Sequence, residues 1–231
     1  MKYNGVVEGK FIKRENRFIG YVLINGEVEK CHIKNTGRCK GLLIEGAKVF
    51  LEPSSNSQRK TKYSLVAVLK GEKLINMDSQ APNKVVEEAI EKGKLFKNVS
   101  FIKRECKFQN SRFDFYVEMG QKKAFIEVKG VTLEKDGVVS FPDAPSQRAI
   151  KHILELIEAK KLGYEAYIIF VIQLEGSKFF VPNKERHIQF YEALKTAVES
   201  GVKVLAYECD VEKDELLLSK REVEVRLQED F

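Results

Sequence analysis

Ser111-Arg112-Phe113-Asp114-Phe115-Tyr116-Val117-Glu118-Met119-Gly120-Gln121-Lys122-Lys123-Ala124-Phe125-Ile126-Glu127-Val128-Lys129 decides the reading of this chain. Two runs rich in aromatic and β-branched residues flank Gly120-Gln121, and Gly at the first central position suits a two-residue hairpin turn. That turn sets Asp114 directly opposite Glu127. Side chains alternate along a strand, so Arg112, Asp114, Tyr116, Phe125, Glu127 and Lys129 share one side and Phe113, Phe115, Val117, Ala124, Ile126 and Val128 the other. The expectation is one core face and one face that carries chemistry.

Opposed Cβ atoms stand about 4.5–5.5 Å apart, where two carboxylates repel unless a cation lies between them. Hard oxygen ligands suit Mg²⁺ or Mn²⁺. Lys129 points the same way and can orient a water and stabilise charge developing on a phosphate. The constellation is that of phosphodiester hydrolysis. An E-x-K tripeptide on a strand is by itself most often a screened surface pair; the facing Asp114 makes the difference. Glu88 either lends a further metal-directed carboxylate or belongs, with Glu87 and Glu91, to a solvated helix face. Glu105 is equally open.

Outward from the hairpin, Val85, Val86, Ala89 and Ile90 give a helix over about 83–92, and a further strand covers about 99–108. A long helix is opened by Asp143 and Pro145, with the apolar stripe Ile150, Ile153, Leu154 and Ile157. A strand buried on both faces (about 164–174), a helix (about 188–200) and a strand (about 203–208) follow, which together describe an α/β sheet of mixed direction. Gln147, Arg148, Lys151 and His152 fall on or near the polar side of the long helix. Cations at a helix N-terminus gain nothing from its dipole, so a phosphate partner accounts for them as well as solubility does.

Upstream, residues 1–80 read as five short strands around an Asn25-Gly26 hairpin signal, a small barrel of the oligonucleotide-binding type. This segment has 15 Lys and Arg against 8 Asp and Glu, whereas the rest has 25 against 26, so the excess behind the net charge of +6 lies in the first third. Arg14, Arg17, Arg59 and Lys60, interleaved with Phe11, Phe18, Tyr21 and Tyr63, are the candidates for tracking and stacking on a polynucleotide, with Arg112, Arg148 and Lys151 joining from the second domain. The 231 residues thus divide into a barrel over 1–80 and an α/β domain over 81–231. Forty-three per cent hydrophobic residues exclude a disordered chain, and the longest apolar run, Ala166 to Ile172, excludes a membrane-spanning helix. With no apolar leader after Met1, the expected location is the cytoplasm. Cys31, Cys39, Cys106 and Cys209 form no metal-site spacing and read as structural thiols. Nothing sets an oligomeric state.

The chain resembles the sugar fermentation stimulation protein A family of bacteria and archaea over nearly its full length. The blocks that carry this are Phe11-Ile12-Lys13-Arg14 with Arg17-Phe18, His32 with Asn35-Thr36-Gly37, Asn56 with Arg59-Lys60, Pro82-Asn83 with Glu88-Ala89, Ser111 to Phe115, Glu127-Val128-Lys129, Val131-Thr132-Leu133, Phe141-Pro142-Asp143-Ala144 and Lys151-His152. It departs from the family at Ile33-Lys34, Ser146 and Ala149. The resemblance implies an oligonucleotide-binding-like barrel before a domain similar to the PD-(D/E)XK nucleases, with Asp114, Glu127, Lys129 and Glu88 at the positions of the nuclease motif and DNA as partner. The reading is a Mg²⁺- or Mn²⁺-dependent DNA endonuclease or phosphodiesterase. The alternative is a non-cleaving DNA-binding regulator of sugar metabolism on the same scaffold. RNA in place of DNA, and strandedness, stay open.

Overall fold

Short runs of Val, Ile, Leu, Phe and Tyr broken by turns build β1 (Val7–Arg14), β2 (Ile19–Ile24), β3 (Glu27–Ile33), β4 (Lys48–Pro53), β5 (Tyr63–Lys70) and β6 (Lys73–Asn76). The structure is a computed structural model that describes residues 1–35 and 37–227; Thr36 lies outside them. The strands run in the order β3-β2-β1-β4-β5-β6, and a parallel β3–β5 pairing closes the first five into a barrel. Asn25 (φ 51°) and Gly26 (φ 86°) make the tight β2–β3 turn that needs left-handed backbone. Phe11, Val22, Cys31, Ile33, Val49, Leu51 and Leu65 fill the interior. Phe11 is therefore core and not a stacking platform, whereas Phe18 is 51% exposed.

The second domain contains α1 (Ala81–Glu91), β7 (Val99–Phe108), β8 (Ser111–Met119), β9 (Lys122–Val131), β10 (Leu133–Lys135), β11 (Val138–Phe141), α2 (Gln147–Lys161), β12 (Glu165–Ile172), β13 (Phe179–Pro182), α3 (Ile188–Glu199), β14 (Lys203–Val211) and β15 (Leu216–Glu222). Its main sheet has the order β15-β14-β12-β9-β8-β7, with β9, β12 and β14 parallel and the flanking pairs antiparallel. β10, β11 and β13 form a small second sheet.

Two sequence expectations are corrected here. Both faces of the main sheet are covered: Phe115, Val117, Ala124, Ile126 and Val128 pack with α1, while Phe113 and Phe125 lie in the cluster that includes α2 and α3. Phe113 changes side where the β8–β9 ladder ends, at Phe115↔Ile126, and where Glu105 on the neighbouring β7 has φ 51°. The apolar stripe of α2 is also out of phase with the reading. Ala149, His152, Ile153, Leu156 and Ile157 are buried, and Leu154 is 49% exposed. His152 is thus interior, because a carboxylate on the sheet meets it there. Ser146 caps α2 by accepting from the Ala149 N–H at 3.2 Å.

The barrel interior and the α2 side of the sheet form one continuous apolar cluster. Polar contacts reinforce the junction: Gln173 Nε2 donates to Asn76 Oδ1 (2.9 Å) and the Asp78 carbonyl (3.0 Å), and Lys34 pairs with the buried Asp78 at 2.9 Å. The four cysteines are free thiols, three of them buried. No helix of the described residues is long and apolar enough to cross a membrane.

Candidate functional site

The hairpin register expected from Gly120-Gln121 is present, with Phe115↔Ile126, Tyr116↔Phe125 and Val117↔Ala124 paired. Beyond Phe115 the Asp114 side chain takes over from the ladder. Its Oδ2 accepts from the Val128 N–H at 2.8 Å, and its Oδ1 accepts from Asn83 Nδ2, near the start of α1, at 2.8 Å. Burial and the Glu127 charge raise the Asp114 pKa above the ordinary aspartate value, against the opposing pull of the Val128 N–H, Lys129 and Asn83. The two carboxylates therefore feel each other.

Glu127 is 2% exposed. Its Oε1 accepts from both the Lys129 ammonium and His152 Nδ1, while its Oε2 has no hydrogen-bond partner among the described residues. Burial pushes its pKa up, but His152 and Lys129 outweigh that and hold it below the usual glutamate value. Glu127 is an anion with one oxygen tethered and one bare. Lys129 is itself largely buried, with 15% of its side chain exposed, so its charge acts across a poorly screened space.

Glu88 takes another course. Its Oε2 meets the Met1 amino group at 3.2 Å and Lys92 at 3.6 Å, and Asn83 is the α1 side chain that reaches Asp114. Glu105 pairs with Arg112 at 2.7 Å on the surface. Among the described residues no group of three His, Cys, Asp or Glu side chains gathers around one point. Two carboxylates with a bare oxygen still fit Mg²⁺ or Mn²⁺, since Mg²⁺ is commonly held by one or two carboxylates and completes its shell with waters and substrate phosphates.

A model described as the sugar fermentation stimulation protein RE domain matches residues 80–215, and one described as the SfsA N-terminal OB domain matches residues 12–77. The chain belongs to the sugar fermentation stimulation protein family. A Clostridium beijerinckii homolog of that protein is 57% identical over 216 residues, covering 94% of this chain and 96% of the relative. A Ruminiclostridium cellulolyticum homolog is 52% identical over 227 residues, covering 98% and 100%. The solved structure of Pyrococcus furiosus SfsA in complex with Ca²⁺ superposes with a TM-score of 0.90 at 31% identity, covering 98% of each chain.

In this SfsA-family chain the cationic candidates divide into two kinds. All five guanidinium N–H donors of Arg14 go to backbone carbonyls, those of Asn16, Arg17, Asn35, Gly37 and Arg38, at 2.7–3.0 Å. Arg14 organises two loops and has no donor left over. Arg59 donates to Ser64 Oγ at 3.0 Å, and Lys151 to the Asn110 carbonyl at 2.8 Å. Arg17, Lys60 and Arg148 are exposed, with no acidic partner among the described residues. Arg112 and Lys151 lie on the α/β domain with the carboxylates; Arg59 and Lys60 stand on the barrel loop before β5. Two residues take site roles that the sequence did not give them: Asn83, which stood only in a block shared with the family, and His152, which was placed on or near the polar side of α2. Their signals were a polar residue just inside a helix start and a histidine in phase with a buried stripe.

Proposed function

We propose that this SfsA-family protein is a DNA-binding phosphodiesterase, of endonuclease type, that works with Mg²⁺ or Mn²⁺ in the cytoplasm. The observation that carries the reading is the bare Oε2 of buried Glu127 beside Asp114, with Lys129 tied to the opposite oxygen. Asp114 and Glu127 would hold the ion, whose chemistry is to polarise a phosphate oxygen and acidify a water. Asn83 and the Val128 N–H fix the Asp114 carboxylate, and His152 fixes that of Glu127. Lys129 orients the attacking water and offsets negative charge growing on the phosphate in a dry setting. That a family member's structure holds Ca²⁺, another oxygen-seeking divalent ion, supports a cation role for the fold.

One observation favours a second reading, the non-cleaving DNA-binding regulator of sugar metabolism: Lys129 already neutralises Glu127, and His152 hydrogen-bonds it, without an ion. Incubation of purified protein with single- and double-stranded DNA and Mg²⁺ or Mn²⁺ separates the two. Cleavage that Asp114→Asn and Lys129→Ala abolish supports the enzyme. Salt-sensitive binding without such cleavage supports the regulator.

A further inference from the structure

A cleft of about 1330 Å³ runs between the barrel and the α/β domain. It exceeds the roughly 300–1,000 Å³ that holds one drug-sized molecule, so it is sized for several linked units. The short end of the range that an oligonucleotide-binding barrel covers, about four nucleotides, is such a ligand. Its lining includes Gly130 and Val131 at the end of β9 and Thr132 just beyond it.

Its two walls differ in charge. The barrel wall presents Arg17, Arg38 and Lys40, all exposed and without an acidic partner among the described residues. The five carbonyl bonds of Arg14 bind the 16–17 and 35–38 loops together, which places Arg17 and Arg38 on one pre-formed surface. The opposite wall presents Thr132, Ser140 and the half-buried Asp143. Hydroxyls and a carboxylate pair with the amino and imino groups on the edges of unpaired bases, and a carboxylate repels phosphate. A duplex would press its second backbone against Asp143 and offer no free Watson–Crick edge.

We infer that this cleft takes one polynucleotide strand in preference to a duplex, with phosphates on Arg17, Arg38 and Lys40 and base edges toward Thr132, Ser140 and Asp143. The inference rests on the reading of the chain as a DNA-binding protein and adds strandedness and a binding cleft to it. It is independent of whether the strand is cut.

Fluorescence anisotropy in EDTA, with a labelled oligothymidylate of about 12 nucleotides and a blunt hairpin duplex of equal charge, tests it without cleavage. The expected result is at least tenfold tighter binding of the single strand. Arg38→Ala combined with Lys40→Ala, both at exposed positions, should weaken that binding about tenfold and flatten the salt dependence by about 0.7 in log–log slope per lost contact. Asp143→Asn should raise duplex affinity and narrow the preference. Equal or tighter duplex binding overturns the inference while leaving DNA binding intact, and so does unchanged oligothymidylate affinity in a folded Arg38→Ala/Lys40→Ala protein. Strand-selective binding with no nuclease activity upholds the inference and removes only the enzymatic reading.

Discussion

Replacing Glu134 with Gln removes one charge from the contact between the domains. Glu134, on β10, is 9% exposed; it accepts from Lys73 Nζ at 2.8 Å, Lys70 Nζ at 3.3 Å and the Gly137 N–H at 2.8 Å. Both lysines belong to the barrel strands β5 and β6. Burial disfavours the carboxylate, but Lys73, the Gly137 N–H and Lys70 outweigh it and bring the pKa from 4.5 down to about 2. At about 1.4 kcal/mol per pKa unit this corresponds to roughly 3 kcal/mol. The lysine side chains are 42% and 37% exposed, and solvent screening lowers the expectation to about 2 kcal/mol. Because the folded pKa lies below the unfolded one, this stability is present above about pH 4.5 and fades as pH falls toward 2. Urea denaturation of wild type and Glu134→Gln at pH 7 should differ by about 2 kcal/mol, the gap shrinking to about half near pH 3 and closing further in 0.5 M salt. A gap below about 0.5 kcal/mol at pH 7, or one that does not change with pH, would show that the Glu134 carboxylate adds nothing to the joining of the domains.

Asp114→Asn should leave the melting temperature unchanged or raise it by about 2 °C at pH 7, while lowering any cleavage rate at least about 100-fold. Since burial and Glu127 raise its folded pKa, Asp114 favours folding only at low pH and loses that contribution as pH rises through the folded value, so scanning calorimetry should find the variant's advantage shrinking toward pH 4. Gly130→Ala would bring a Cβ within 2.5 Å of Gln173 Oε1 and 2.8 Å of Pro82 Cγ, and Gln173 is pinned by Asn76 and Asp78. Urea midpoints should report a loss of about 1–3 kcal/mol. Arg14→Lys cuts five fixed donors to three, and limited proteolysis should reveal faster nicking near residues 16–17 and 35–38, with a cost of about 1–2 kcal/mol.

Local signals made much of this legible in the sequence. Gly120-Gln121 set the β8–β9 register and Asn25-Gly26 the β2–β3 hairpin, because two-residue turns leave the flanking strands little freedom. The barrel and the mixed sheet followed from strand spacing and the run at β12. What the sequence hid depends on partners distant in the chain. The burial of His152 is set by Glu127 on the neighbouring sheet, and a one-residue error in helix phase was enough to place it outside and Leu154 inside. The side on which Phe113 lies depends on the local backbone irregularity opposite Asp114, which no alternation rule anticipates. The short strands β6, β10, β11, β13 and β15 are edge or minor-sheet elements with little periodicity to read. Arg14 looked like a phosphate ligand because composition cannot tell a guanidinium facing solvent from one saturated by carbonyls.

Isothermal titration of Mn²⁺ and Mg²⁺ into wild type and Glu127→Gln, followed by a DNA cleavage assay on the same preparations, tests the central claim most directly. The account predicts one ion per chain in the wild type, at least about tenfold weaker binding when Glu127 loses its charge, and cleavage that tracks ion occupancy. Identical titrations for the two proteins, or no heat from the wild type, would contradict it.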